Sequence, residues 1–210
     1  MVDAEQMWVV AAGGAGLVMF AAGSMLTGTP RVDAADGDVV TALSERRGSM
    51  LVGSVLSISG CALLLWPLAA VADSGAPVWD SLALFALALW VLGFAMLVAA
   101  ATTVAALAWR EPATIEPATL RLVLDGSHLA TWSVSAPLGA MATVATTAVG
   151  VQASTFGWVV VLLAIAKVLT VVVEAAGMGV RSGWNAGGWA LGSSGYVTVA
   201  WFAAVLVALG

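Results

Sequence analysis

The chain has 210 residues, of which 61% are hydrophobic and only 9% charged. A water-soluble domain carries about 25% charged residues, so the composition and a mean hydropathy of +1.04 point away from a soluble fold and toward a bilayer. A net charge of −5 leaves no clustered Lys and Arg for nucleic acid, and the lone cysteine, Cys61, excludes an intrachain disulfide.

The first residues, Met-Val-Asp-Ala-Glu-Gln-Met, put Asp3 and Glu5 where a secretory signal needs positive charge. The first apolar run therefore reads as a permanent helix. Six apolar runs follow in order, at about 8–27, 49–72, 79–109, 118–150, 156–180 and 189–209. About 20 apolar residues suffice for a helix to cross roughly 30 Å of hydrocarbon. The third and fourth runs exceed that, so they tilt or project beyond the headgroups. A β-barrel would alternate apolar and polar residues, and Val159–Ile165 does not. Lipid leaves backbone groups no outside partner, which favours helices. The expected fold is an all-α, polytopic membrane helix bundle with six transmembrane helices, a single domain over 1–210.

Charge placement predicts the orientation. Loop 1 (28–48) holds Arg31, Arg46 and Arg47, loop 3 and its margins hold Arg110 and Arg121, and loop 5 holds Arg181. Loops 2 and 4 and both chain ends hold no Lys or Arg. The excess of cations on one side places loops 1, 3 and 5 in the cytoplasm and both termini outside. Loop 1 also carries Asp33, Asp36, Asp38 and Glu45 and reads as a solvated connection.

Ten tryptophans stand in the chain. Trp8, Trp66, Trp79, Trp109, Trp158, Trp184 and Trp189 fall near span ends, as an interfacial belt would place them. Trp90, Trp132 and Trp201 lie deeper and read as packing residues. Small residues recur at helical spacing: Gly53, Ser57 and Cys61 in the second span, and Thr131, Ser135, Gly139, Thr143 and Thr147 in the fourth. Such stripes let helix backbones approach closely. Pro67 and Pro137 predict kinks, or for Pro67 the end of a regular stretch. No three-plus-three inverted repeat is visible.

Four ionisable residues fall inside spans: Asp125, His128, Lys167 and Glu174. Charge in hydrocarbon costs roughly 3 kcal/mol or more, so each should face protein or water. Arg121, Asp125, His128, Trp132, Ser135 and Gly139 are spaced to share one helix face. That predicts a ladder of guanidinium, carboxylate and imidazole descending from the cytoplasmic surface. It could be a proton relay or substrate site, or a self-neutralised network that fixes helix register. Lys167 and Glu174 also share a face, but about 10 Å of helix axis between them argues against direct pairing.

Other chemistries fit poorly. A membrane lysine suggests retinal, but retinal proteins have seven helices and six are counted here. A haem would have His128 as its sole histidine, and structural zinc lacks its Cys/His set. No cofactor or metal is expected. Gly192-Ser193-Ser194-Gly195 with His128 resembles the serine–histidine dyad of rhomboid proteases, but in the reverse chain order.

Three segments carry a resemblance: Leu-Asp-Gly-Ser-His-Leu-Ala-Thr-Trp-Ser (124–133), Arg-Ser-Gly-Trp-Asn-Ala-Gly-Gly (181–188), and Glu45-Arg46-Arg47-Gly48 entering the second span. Over about half its length the chain resembles the small, functionally uncharacterised six-helix integral membrane proteins of actinobacteria. The resemblance implies a six-helix layout and a cytoplasmic-membrane address, and no activity. The first functional reading is a transporter-like or ligand-binding bundle, with Arg121, Asp125, His128, Lys167 and Glu174 lining a path open to the cytoplasm. The alternative is a non-catalytic membrane scaffold or subunit of a membrane complex, in which those residues pair off. An intramembrane hydrolase ranks third. Expected partners are membrane lipid and other membrane subunits or further copies of the chain.

Overall fold

The computed structural model describes residues 4–30, 34–73, 80–150, 157–177 and 193–209. Every element among them is helical: α1 (Ala4–Thr27), α2 (Asp36–Glu45), α3 (Arg47–Asp73), α4 (Asp80–Trp109), a 3₁₀ turn (Pro112–Thr114), α5 (Pro117–Leu129), a π-helical turn (Ala130–Ser135), α6 (Ala136–Gly150), α7 (Gly157–Gly177) and α8 (Ser193–Leu209). Among the described residues four helices are long and apolar enough to cross a membrane: Ala4–Thr27, Arg47–Val71, Ser81–Trp109 and Gly157–Glu174. Their outer faces are apolar. Leu84, Phe85, Leu92, Ile165, Leu169 and Val172 are all exposed. Side chains so placed suit lipid and not water, and they mark a helical membrane protein.

The helices close into a ring. α1 packs on α3, α3 on α4, α4 on α6, α6 on α7, α7 on α8, and α8 returns to α1. α3 also touches α6 across the middle. Aromatic side chains fill the centre. Trp90 stacks on Trp201, with ring centroids 5.6 Å apart, and both meet Phe202. The indole N–H of Trp90 donates to Thr146 (3.0 Å) and that of Trp201 to Thr147 (3.1 Å), so burial leaves neither donor unpaired. Trp90 and Trp201 are thus packing residues, as their depth in the sequence suggests. Trp8, Trp66, Trp109 and Trp158 stand exposed near helix ends. Trp79, Trp184 and Trp189 lie outside the described residues.

Two expectations need correction. Loop 1 is not merely a solvated connection, since it contains α2. Val39 and Leu43, one turn apart, bury against Met50, Val104, Leu107, Ala108, Leu120 and Leu124. Asp36 and Asp38 complement the positive end of the helix. α2 therefore covers one end of the bundle, where α3 begins and α4 ends. The fourth run, in turn, is not one continuous α-helix. Its path from Pro117 to Gly150 passes through the π turn, where the Ala136 N–H reaches back five residues to Thr131 O. Pro137 follows directly and supplies no N–H, and its ring would crowd the preceding turn of a regular helix. The wider turn relieves that crowding. α3, by contrast, runs through Pro67 to Asp73.

Candidate functional site

The core has two apolar clusters with a polar layer between them. The inner cluster is the one α2 covers. The outer cluster contains Cys61, Leu64, Leu68, Phe94, Ala142, Ala164 and the Trp90–Trp201 stack. α3 and the α5–α6 path run from the inner cluster to the outer one, and α7 runs the opposite way. Ser54 follows Met50 by one turn, and His128 follows Leu124 by one turn, so both stand just above the inner cluster. Lys167 stands one turn below Ala164 of the outer cluster, with Glu174 two turns further in. Ser127 is buried at the level of His128, and Ser135 is buried two turns further along the path. All are buried: His128 is 6% exposed, Lys167 4% and Glu174 1%.

His128 is held from α1. Its Nε2 and the Thr29 hydroxyl are 2.9 Å apart and share one hydrogen bond. Thr29 lies just past the last residue of α1, so the imidazole stands at the level of that helix end. Asp125 is half-buried one turn earlier, and its charge bears on the ring. Nδ1 of His128 and Oγ of Ser54 are buried with no hydrogen-bond partner among the described residues. Lys167 and Glu174, seven residues apart on α7, are both buried, and the charge of Glu174 bears on Lys167.

The residues of the predicted ladder also bond to elements outside their own helix. Arg121 donates to Asp36 Oδ1 (2.7 Å) and to the carbonyl of Ala34, tying α5 to α2. His128 goes to Thr29. Further along, Ser127 donates to Ala100 O (3.4 Å) and Ser135 to Gly93 O (2.9 Å), both on α4. The two serines are eight residues apart and their acceptors seven. The extra residue is the one the π turn absorbs. A face drawn at regular helical spacing through His128 therefore fails beyond residue 130, and the face that meets α4 runs through Ser127.

The helix-packing residues fall as follows. Ser57 lies against α1, where a Cβ on Gly23 would strike its backbone N. Gly60, and not Cys61, continues that contact, and Cys61 belongs to the outer cluster. Gly139 is buried close to Gly93. Thr143 is fully buried and donates to Gly139 O (2.7 Å) within its own helix.

The arginines of the inner end serve helix termini. Arg46 donates to Gly28 O at the end of α1 (3.0 Å), and Arg47 to Trp109 O at the end of α4. A cation there complements the negative end of the helix and satisfies a terminal carbonyl. Sequence reasoning read these residues only as topology markers. Arg31 and Arg181, like the side chains of Ser193 and Ser194, lie outside the described residues. So does the 181–188 segment.

Apolar grooves indent the surface between the helices. One, of about 470 Å³, lies between α6 and α7 and is lined by residues such as Val144, Ala148, Val161 and Leu169. Another, of about 500 Å³, lies among α4, α6 and α7. Both are apolar, and neither is lined by Asp125, His128, Lys167 or Glu174. Among the described residues no three His, Cys, Asp or Glu side chains converge on a point. Comparison with protein-family models, curated proteins and solved structures finds no match to this chain.

Proposed function

We propose that the chain is a six-span protein of the cell membrane, with the arginine-rich end in the cytoplasm and both termini outside. The α5–π–α6 path serves as the fourth span and α8 as the sixth. Exposed tryptophans near helix ends and arginine-capped termini gathered at one end support this orientation. Cysteines placed at Arg46 and Ser154, in a Cys61→Ser background, should react with an impermeant maleimide from opposite sides of the membrane. Reaction from one side for both would end the six-span reading.

Within that frame the function best supported is a non-catalytic scaffold or subunit of a membrane complex. One observation carries it: the ring has a packed centre. Trp90, Phe94, Trp201 and Phe202 fill it, and both indole donors are satisfied by Thr146 and Thr147. A path across the membrane would have to displace that layer. The polar groups below it then lock helices together.

The transporter-like reading keeps one specific support, the Nδ1 of His128, which stands beside a π turn with no partner among the described residues. Such turns recur at functional sites, and a buried ring nitrogen without a partner is suited to a proton or a water. Proteoliposomes loaded with a pH-sensitive dye separate the two. The scaffold reading expects proton flux at the level of empty liposomes for wild type and for His128→Ala. Wild-type flux that His128→Ala abolishes would overturn it in favour of transport.

A further inference from the structure

We propose that the corner between the first turn of α3 and the last turn of α4 binds the phosphate of an anionic phospholipid in the cytoplasmic leaflet. The site rests on the membrane orientation given above.

Arg46 and Arg47 are adjacent, but they turn to opposite sides of α3. Arg46 reaches the end of α1, and Arg47 reaches the carbonyl of Trp109 at the end of α4. That second bond draws Arg47 to within a residue of Arg110. Arg110, exposed, is the next residue, so two arginines stand at this helix end, and like charges so placed favour an anion beside them. Arg47 uses one Nη2 in its bond to α4, and a guanidinium has five N–H donors in a planar fork suited to phosphate. Among the described residues no carboxylate pairs with Arg47 or Arg110. The neighbouring acids in sequence, Glu45 and Glu111, are exposed.

Trp109, whose carbonyl Arg47 binds and which precedes Arg110, is 72% exposed, with no acceptor for its indole N–H among the described residues. A tryptophan at a helix end sits at headgroup depth, with its ring on the acyl boundary and its N–H toward the phosphate. The corner thus offers two cations, one neutral donor and an apolar ring, the groups that a phospholipid's phosphate and chain would each engage. Arg121, the remaining described arginine near this end, is engaged by Asp36. A soluble phosphate would have the charges but no use for the ring, so the lipid is the occupant.

Native mass spectrometry of the delipidated protein in detergent, given equal phosphatidylglycerol and phosphatidylcholine, tests the site without reference to orientation. Phosphatidylglycerol should be retained preferentially. Arg110→Gln, which breaks no described side-chain contact, should lower the preference about fivefold, and Arg47→Gln with Arg110→Gln should lower it roughly 25-fold. Millimolar glycerol phosphate should not displace the lipid. Equal retention of the two lipids, a preference unchanged in Arg110→Gln, or displacement by glycerol phosphate would each overturn the proposal. Failure here leaves the maleimide result, and with it the six-span reading, untouched.

Discussion

Two helix crossings in this bundle bring backbones together by different means. Between α1 and α3 the contact is glycine on glycine. A Cβ added at Gly53 would lie 2.7 Å from Thr27 N, one at Gly60 would lie 2.5 Å from Phe20 N, and one at Gly16 would lie 2.8 Å from Leu63 Cβ. Between α4 and the α5–α6 path the contact runs through hydroxyls and an indole: Ser127 to Ala100 O, Ser135 to Gly93 O, and Trp90 to Thr146. A Cβ on Gly93 there would find its nearest atoms at 3.7–3.8 Å, an ordinary distance. Lipid gives no hydrophobic drive for helices to associate, so packing and interhelical hydrogen bonds must supply it. The first crossing brings backbones into direct contact and admits no added atom where its glycines meet. The second relies on hydrogen bonds and has room to spare.

The difference sets the order of mutational effects. Gly23→Leu should be the most damaging change, because even a Cβ there collides with Ser57 N and lies 2.6 Å from Gly53 O. Both are backbone atoms that cannot move aside, so the cost should go well beyond the roughly 1–3 kcal/mol of ordinary overpacking and keep the two helices from packing at all. Size-exclusion chromatography in detergent should show loss of the monodisperse peak. A normal profile would mean that α1 and α3 do not meet as described.

Trp201→Ala comes next. It opens a cavity beside Trp90 and Phe202 and removes the donor to Thr147, at a cost of about 3–5 kcal/mol by analogy with buried aromatic truncations. The melting temperature should fall sharply. Trp8→Ala, at an exposed position, is the matched control and should leave it nearly unchanged.

Ser135→Ala should cost far less, about 0.6 kcal/mol, which is typical of an interhelical hydrogen bond within a membrane. A shift of a degree or two in melting temperature is expected. A loss as large as that of Trp201→Ala would place the weight of the second crossing on this single bond.

How much of this could be read from residues alone varies from element to element. The apolar runs needed only composition, because lipid imposes length and hydropathy on any helix that crosses it. Trp90 and Trp201 were legible as packing residues, since depth in an apolar run leaves an indole little else to do. α2 was not legible, because a ten-residue helix with two buried apolar side chains is indistinguishable from a polar loop until its docking surface is known. Pro137 signalled an irregularity, but whether it would become a kink or a π turn depends on what α4 offers across the crossing. The ladder through Arg121, Asp125 and His128 was drawn within one helix. It had no way to register that Asp36 and Thr29 approach from other elements.

The mildest change makes the sharpest test of the comparison. Gly139→Ala adds one methyl group at a buried position of the second crossing, where a Cβ would have nothing within 4 Å. Alanine also restricts the unfolded chain and favours helix over glycine by up to about 1 kcal/mol. The variant should therefore melt at or slightly above the wild-type temperature. The same substitution at Gly60 faces Phe20 N at 2.5 Å and should lower it by several degrees. If both variants melt alike, the two crossings are equally close, and the division between a glycine seam and a hydroxyl-bonded crossing does not hold.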